Sequence, residues 1–93
     1  MAVCRTWTYR NVTEAVFQSL RTQASKQGFS VPNASSGTFA VQAGGMSVQF
    51  EFAWNRVQAT LQLACIRKPV LVSCTLVKSM ADQIIQQSGG TPA

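Results

Sequence analysis

From Val41 to Leu63 the chain alternates apolar and polar residues almost without interruption, VQAGGMSVQFEFAWNRVQATLQL. Alternation with a period of two marks strands that bury one face. Gly44-Gly45 can take positive φ at both positions and predicts a two-residue hairpin turn, which sets Ala43 against Met46, Val41 against Val48 and Phe39 against Phe50. A second two-residue turn at Asn55-Arg56 sets Trp54 against Val57, Phe52 against Ala59, Phe50 against Leu61, Val48 against Leu63 and Met46 against Cys65. Both turns keep one apolar set on one face, and a slip of one residue would turn that set over. Three strands are therefore expected over 38–43, 46–54 and 57–65. Their other face carries Thr38, Gln42, Ser47, Gln49, Glu51, Gln58, Thr60 and Gln62.

The rest of the chain reads as one short strand and two helices. Val3–Tyr9 (VCRTWTY) is rich in β-branched and aromatic residues and predicts a short strand, either at the sheet edge or joining the sheet late. Asn11 followed by Glu14 is the spacing of a capping box, in which each side chain reaches the other's backbone N–H. Val12, Val16, Leu20 and Ala24, flanked by Ala15 and Phe17, then form one stripe of a helix to Gln27. Gly28 stops it, with Phe29 folding back onto Ala24. Ser30–Gly37 is a polar loop. After Arg67-Lys68-Pro69, the positions Val70, Cys74, Val77, Ala81 and Ile84 fit a second helical stripe, with Leu76, Met80 and Ile85 on its flanks. VLVSCTLV would also serve as a strand. With Ser73 as N-cap, the reading adopted is a helix over about 73–87 that stops at Gly89.

A meander with one apolar face must be covered, and two amphipathic helices are what the chain has to cover it. The expected fold is α+β: a two-layer sandwich in the order β-α-β-β-β-α, with an antiparallel sheet of three to four strands under two helices. Residues 1–88 form one domain in this reading, and 89–93 a flexible tail. Burying Phe39, Val41, Val48, Phe50, Phe52, Leu61 and Leu63, at roughly 1.5–3 kcal/mol each, is what offsets the entropy of folding. The apolar ribbon is thus already committed to the core, which leaves the Gln/Thr face and the sheet edges for partners.

Composition alters this picture in three ways. Charged residues make up 12% of the chain, against about 25% in an average domain, so little repulsion opposes self-association. The net charge is +5, but Arg5, Arg10, Arg21, Lys26, Arg56, Arg67, Lys68 and Lys78 are scattered, and only Arg67-Lys68 are adjacent. Of these, Arg5, Arg10, Arg56, Arg67 and Lys68 would serve a nucleic acid if the fold gathered them on one side. Three cysteines, Cys4, Cys65 and Cys74, with no His, fit neither a four-ligand zinc site nor a closed disulfide framework, and reduced thiols are expected. The chain also lacks a membrane-length apolar run and a signal-peptide core at MAVCRTW, which predicts a cytoplasmic protein without a membrane span.

Catalytic chemistry is poorly supplied. The acids are Glu14, Glu51 and Asp82, no His is present to share protons with them, and AGG has neither the spacing nor the following helix of a phosphate cradle. Cys74 at a helix N-terminus could have a lowered pKa, yet no base stands beside it in sequence. No enzyme activity, cofactor or metal is expected, and the apolar side chains suffice to fill a two-layer core without a ligand cavity.

The helix, meander, helix order is similar to the double-stranded-RNA-binding domain. That family's lysine-rich second helix start and long His-containing loop correspond here to Ser73, Cys74, Thr75 and a two-glycine turn. With its leading strand, the pattern over about 3–87 resembles a family of small bacterial proteins encoded near polyhydroxyalkanoate synthesis genes, the nearest local match being SGTFAVQAGGMSVQFEF from Ser36 to Phe52. That resemblance implies a strand, helix, three-strand, helix fold and leaves function open. The sequence favours a protein-interaction module that forms a homodimer or takes a protein partner, through a sheet edge or through the face bearing Gln49, Glu51, Gln58, Thr60 and Gln62. The alternative is a basic nucleic-acid-binding domain.

Overall fold

The computed structural model of the protein describes residues 3–43 and 45–92. Its elements are β1 (Trp7–Arg10), α1 (Glu14–Lys26), β2 (Ser36–Ala43), β3 (Met46–Asn55), β4 (Thr60–Arg67), α2 (Cys74–Ser88) and β5 (Thr91–Pro92). Among the described residues the strands form one antiparallel sheet in the order β2-β3-β4-β1-β5. The α+β order is the expected one. The sheet, however, has five strands where three to four were expected. The fifth comes from the tail, where Thr91 and Pro92 pair with Arg10 and Tyr9. β1 is correspondingly an inner strand between β4 and β5, not an edge.

Both helices lie on one face of this sheet. Phe17, Leu20 and Ala24 of α1, and Val77, Ala81 and Ile85 of α2, share a single buried cluster with Tyr9, Val41, Val48, Phe50, Phe52, Leu61, Leu63 and Cys65. The rings of Phe39 and Phe50 stack at 5.2 Å, and that of Phe17 lies flat on Trp54 at 4.2 Å. Aromatic pairs at such separations add to the energy of burial itself.

The first hairpin has the predicted register, from Ala43↔Met46 through Val41↔Val48 and Phe39↔Phe50 to Ser36↔Ala53. Gly44, half of its predicted turn, lies outside the described residues, as does Ala93 in the predicted tail. The second hairpin does not have the predicted register. From Phe50 to Asn55 each β3 residue pairs four positions further along β4, Trp54 with Leu61, Phe52 with Leu63 and Phe50 with Cys65, and an irregularity between Gln49 and Phe50 moves Gln49 one further, to Arg67. The connection is a four-residue loop, Arg56–Ala59, closed where Ala59 takes φ 54° and the Gln58 N–H donates to Asn55 Oδ1 at 3.0 Å. A shift of four is even, so the same side chains face the core. β4 consequently starts at Thr60, and Gln58 belongs to the loop.

α1 starts two residues later than its stripe suggested. Thr13, not Asn11, is the N-cap, its Oγ1 accepting from the Val16 N–H at 3.3 Å. Asn11 instead has φ 60° and donates from Nδ2 to Thr91 Oγ1 at 3.3 Å, tying the helix entry to β5. At the other end, the Gly28 N–H reaches the Ser25 carbonyl and the Phe29 N–H the Ala24 carbonyl, the paired bonds of a glycine stop. α2 begins at Cys74 with Ser73 as its cap, as expected. Val70 is outside it and exposed, so the buried stripe is Val77, Ala81, Ile85 and Ser88. Gly90 then enters β5 against the helix, so close that a Cβ there would lie 2.5 Å from Ile85 Cγ2.

The cysteines require a correction. Cys4 and Cys74 form a disulfide that spans 70 positions, and only Cys65, buried under the sheet, is free among the described residues. An odd count rules out full pairing but not one bridge. Cys4 and Cys74 lie far apart in sequence and carry no spacing that would reveal it.

Candidate interaction surfaces

With both helices on one face, the other face of the sheet is uncovered. Glu51 on β3 and Gln62 on β4 are exposed there, and Gln49 and Thr60 are half-buried. The ladder sets Glu51 beside Ala64, Gln62 beside Ala53 and Thr60 beside Asn55. Four of the five residues expected to meet a partner thus lie on strands of this face, and Gln58, in the Arg56–Ala59 loop, lines a depression with Asn55, Thr60 and Gln62 at its end. Thr8 extends the face onto β1 opposite Gln62. Missed in the sequence reading was the width of the face, because β1 was placed at an edge.

The sheet ends on one side in β2. Its eight residues, Ser36–Ala43, contain no charge and no proline, and among the described residues no strand pairs with its outer side. Folded proteins commonly protect such an edge with lysine, proline, a bulge or a short strand. β5 at the opposite margin is protected in two of these ways, being two residues long and containing Pro92.

The five cations proposed for nucleic acid do not form one patch. Val3 donates its N–H to the Cys65 carbonyl at 2.9 Å and Cys4 is bonded to Cys74, so Arg5 lies at the end of β4 that carries Arg67 and Lys68. Arg10, next to Tyr9↔Leu61, and Arg56 in the β3–β4 loop lie at the other end, about 23 Å from Arg67 by the rise of a strand. Arg56 is moreover paired with Glu14.

A polar cluster that sequence spacing could not reveal joins β1 to α2. The Tyr9 hydroxyl donates to Asp82 Oδ1 at 2.7 Å, and Lys78 Nζ donates to Asp82 Oδ2 at 2.8 Å. Tyr9 is 1% exposed. Burial pushes its pKa well above the usual tyrosine value, and the hydrogen bond to the Asp82 carboxylate and its negative charge push the same way. Lys78 and Asp82 are one helical turn apart, the spacing at which such pairs meet, but nothing local points to Tyr9, 73 positions away. Both Asp82 oxygens are occupied, which makes the cluster a tie between layers. Burial likewise raises the pKa of the Cys65 thiol, against a smaller opposite pull from the Arg67 backbone and from Lys68, and leaves it a poor nucleophile.

Between sheet and helices the void lined by Phe17, Phe29, Phe39 and Phe50 has a volume of about 30 Å³ and only apolar lining. Among the described residues no three His, Cys, Asp or Glu side chains gather as metal ligands, and no helix is long and apolar enough to cross a membrane. No protein-family model, curated protein or solved structure matches the chain.

Proposed function

We propose that the protein is a non-enzymatic interaction module that self-associates by pairing the β2 edges of two copies into one continuous antiparallel sheet. The observation that carries this reading is the unprotected edge: eight uncharged residues, about 27 Å of backbone donors and acceptors facing outward, in a fold that protects its other margin. Addition of a strand to an exposed edge is a general mode of recognition in which main-chain bonds supply the affinity. The low charge of the chain supports it, since two copies meet with little repulsion. The polyhydroxyalkanoate-associated resemblance adds nothing to the choice of partner. The Cys4–Cys74 bond favours a compartment in which disulfides persist over the cytoplasm that reduced thiols had suggested.

Sedimentation of the intact chain across a range of concentrations tests the reading. A mass rising from monomer to dimer is expected. Thr38→Lys with Gln42→Lys, both exposed on β2, sets lysines against lysines when two edges pair about Ala40 and should return the monomer. A monomer at every concentration overturns the proposal. If Gln62→Lys abolishes the dimer while the β2 variant does not, the uncovered face is the contact and not the edge.

A further inference from the structure

Between β4 and α2 the chain reverses in a tight turn in which the Val72 N–H donates to the Pro69 carbonyl at 3.1 Å. Val70 and Leu71 therefore occupy the two corner positions. Corners of such turns usually hold Gly, Asn, Asp, Ser or Pro, for reasons of conformation and solvation. Here they hold two aliphatic side chains, 93% and 98% exposed. The turn does not need them, because its own anchor is Val72, which is buried. The tip is also firmly mounted: Ser73 caps α2 directly behind it, and Cys74 is joined to Cys4.

The same bridge gives the tip its surroundings. It holds residues 3–5 alongside the end of β4, where the Val3 N–H meets the Cys65 carbonyl. Val3 and Leu76, each about half exposed, widen the apolar area beside Val70 and Leu71. Arg67 and Lys68 lead directly into the turn, and Arg5 follows Cys4 on the bridged segment. The acids lie elsewhere: Glu14 is paired with Arg56 at the other end of β4, Asp82 is held by Tyr9 and Lys78, and Glu51 is on the uncovered sheet face. The result is a projecting apolar point with a cationic collar, on a chain of net charge +5.

We infer that the Pro69–Val72 turn docks the protein on an anionic lipid bilayer. Val70 and Leu71 enter the boundary between headgroups and acyl chains, and Arg5, Arg67 and Lys68 bind the lipid phosphates. A convex point whose side chains are almost wholly bare fits a soft medium that closes around it, and the collar of one sign selects a surface of the other. Apolar insertion and electrostatic attraction are individually weak, and anchoring commonly needs both. The turn is separate from the β2 edge, so this inference stands or falls independently of the proposed self-association.

Co-sedimentation of the intact, oxidised protein with phosphatidylcholine vesicles, with and without phosphatidylglycerol, reads it out. The protein should pellet with the anionic vesicles and be released by raised salt. Val70→Ser with Leu71→Ser should lower the partition coefficient at least about tenfold, and Arg67→Gln with Lys68→Gln about fivefold for each cation removed. Because the serines replace exposed side chains, the thermal midpoint should not move, which separates loss of docking from loss of fold. Val57→Ser, at an equally bare position in the β3–β4 loop (96% exposed), should bind as the unaltered chain does. The inference is overturned if the unaltered protein ignores anionic vesicles, if the double serine variant binds undiminished, or if Val57→Ser weakens binding as much.

Discussion

On one side the sheet ends in β5, two residues long, and the layers there are joined by specific ties between segments far apart in sequence. The Cys4–Cys74 bond, the Tyr9–Asp82 hydrogen bond and the Asn11–Thr91 contact bridge 70, 73 and 80 positions. On the other side it ends in β2, eight residues long, held by its ladder to β3 and by packing of the Phe39 ring on Phe29 and Phe50. A short strand contributes few ladder bonds and little buried area, so its margin needs ties of other kinds. A long strand held along its whole ladder needs none, and its edge remains open. The local economy of each margin thus determines where a partner strand could add.

The largest test removes the covalent tie. Closing a 70-residue loop lowers the entropy of the unfolded chain, and Cys4→Ser with Cys74→Ser should cost about 4 kcal/mol in denaturant unfolding. Hydrogen exchange on the same variant sharpens the comparison. Amides of β1 near Trp7 should lose protection first, since residues 3–6 are then held to the sheet by little more than the Val3–Cys65 bond. Amides shared by β2 and β3 should open only with global unfolding. Equal loss of protection at both margins would show that the bridge stabilises the whole fold evenly and that the contrast between margins is one of geometry alone.

How much of this could be read from the sequence follows the same division. The β2–β3 ladder was legible because a period of two fixes the face of each residue and a Gly-Gly turn fixes the register. For β3–β4 the face was legible and the register was not. Asn55-Arg56 looked like a second two-residue turn, whereas Ala59 takes a left-handed conformation that nothing in its identity announces, and the loop grows by two. At the stapled margin little could be read. Asn11 and Thr13 are both capping residues, and only the pairing of Thr91 with Arg10 decides which of them is free to cap. β5 is too short to show a period. Among the candidate surfaces, the alternation exposed the Gln/Thr face, while the separation of the cations into two groups depends on β1 lying inside the sheet.

A second test, of intermediate size, addresses the Tyr9 tie. Tyr9→Phe keeps the buried ring and removes a hydrogen bond to a carboxylate, for a loss of roughly 1.5–3 kcal/mol at neutral pH. The pH dependence has a definite sign. Because the folded-state pKa of Tyr9 is raised above the unfolded value near 10, the folded chain holds the phenol proton where the unfolded chain has released it. The tyrosine's contribution is complete below pH 10 and declines above it, by ~1.4 kcal/mol per pH unit. Tyr9 is the chain's single tyrosine, so phenolate absorbance reports on it alone. Ionisation should appear only together with unfolding, and Tyr9→Phe should lose less stability than the unaltered chain does over the same alkaline range. Phenolate formation in a chain that remains folded would remove Tyr9 from the ties of this margin.

The smallest expected effect concerns a tie that joins distant segments as the others do but differs from them in solvation. Arg56 and Glu14 bring the β3–β4 loop to the start of α1, 42 positions apart, with side chains 69% and 52% exposed. Water and salt already screen such a pair, and holding two long side chains in one arrangement costs entropy that offsets the attraction. Arg56→Ala should therefore change stability by less than about 0.5 kcal/mol, and by still less at high salt. Tyr9, at 1% exposure, gives the opposite case: the same kind of long-range polar contact carries weight only where water has been excluded. A loss approaching that of Tyr9→Phe would mean that bridging distant segments, and not burial, is what gives a contact its strength in this fold.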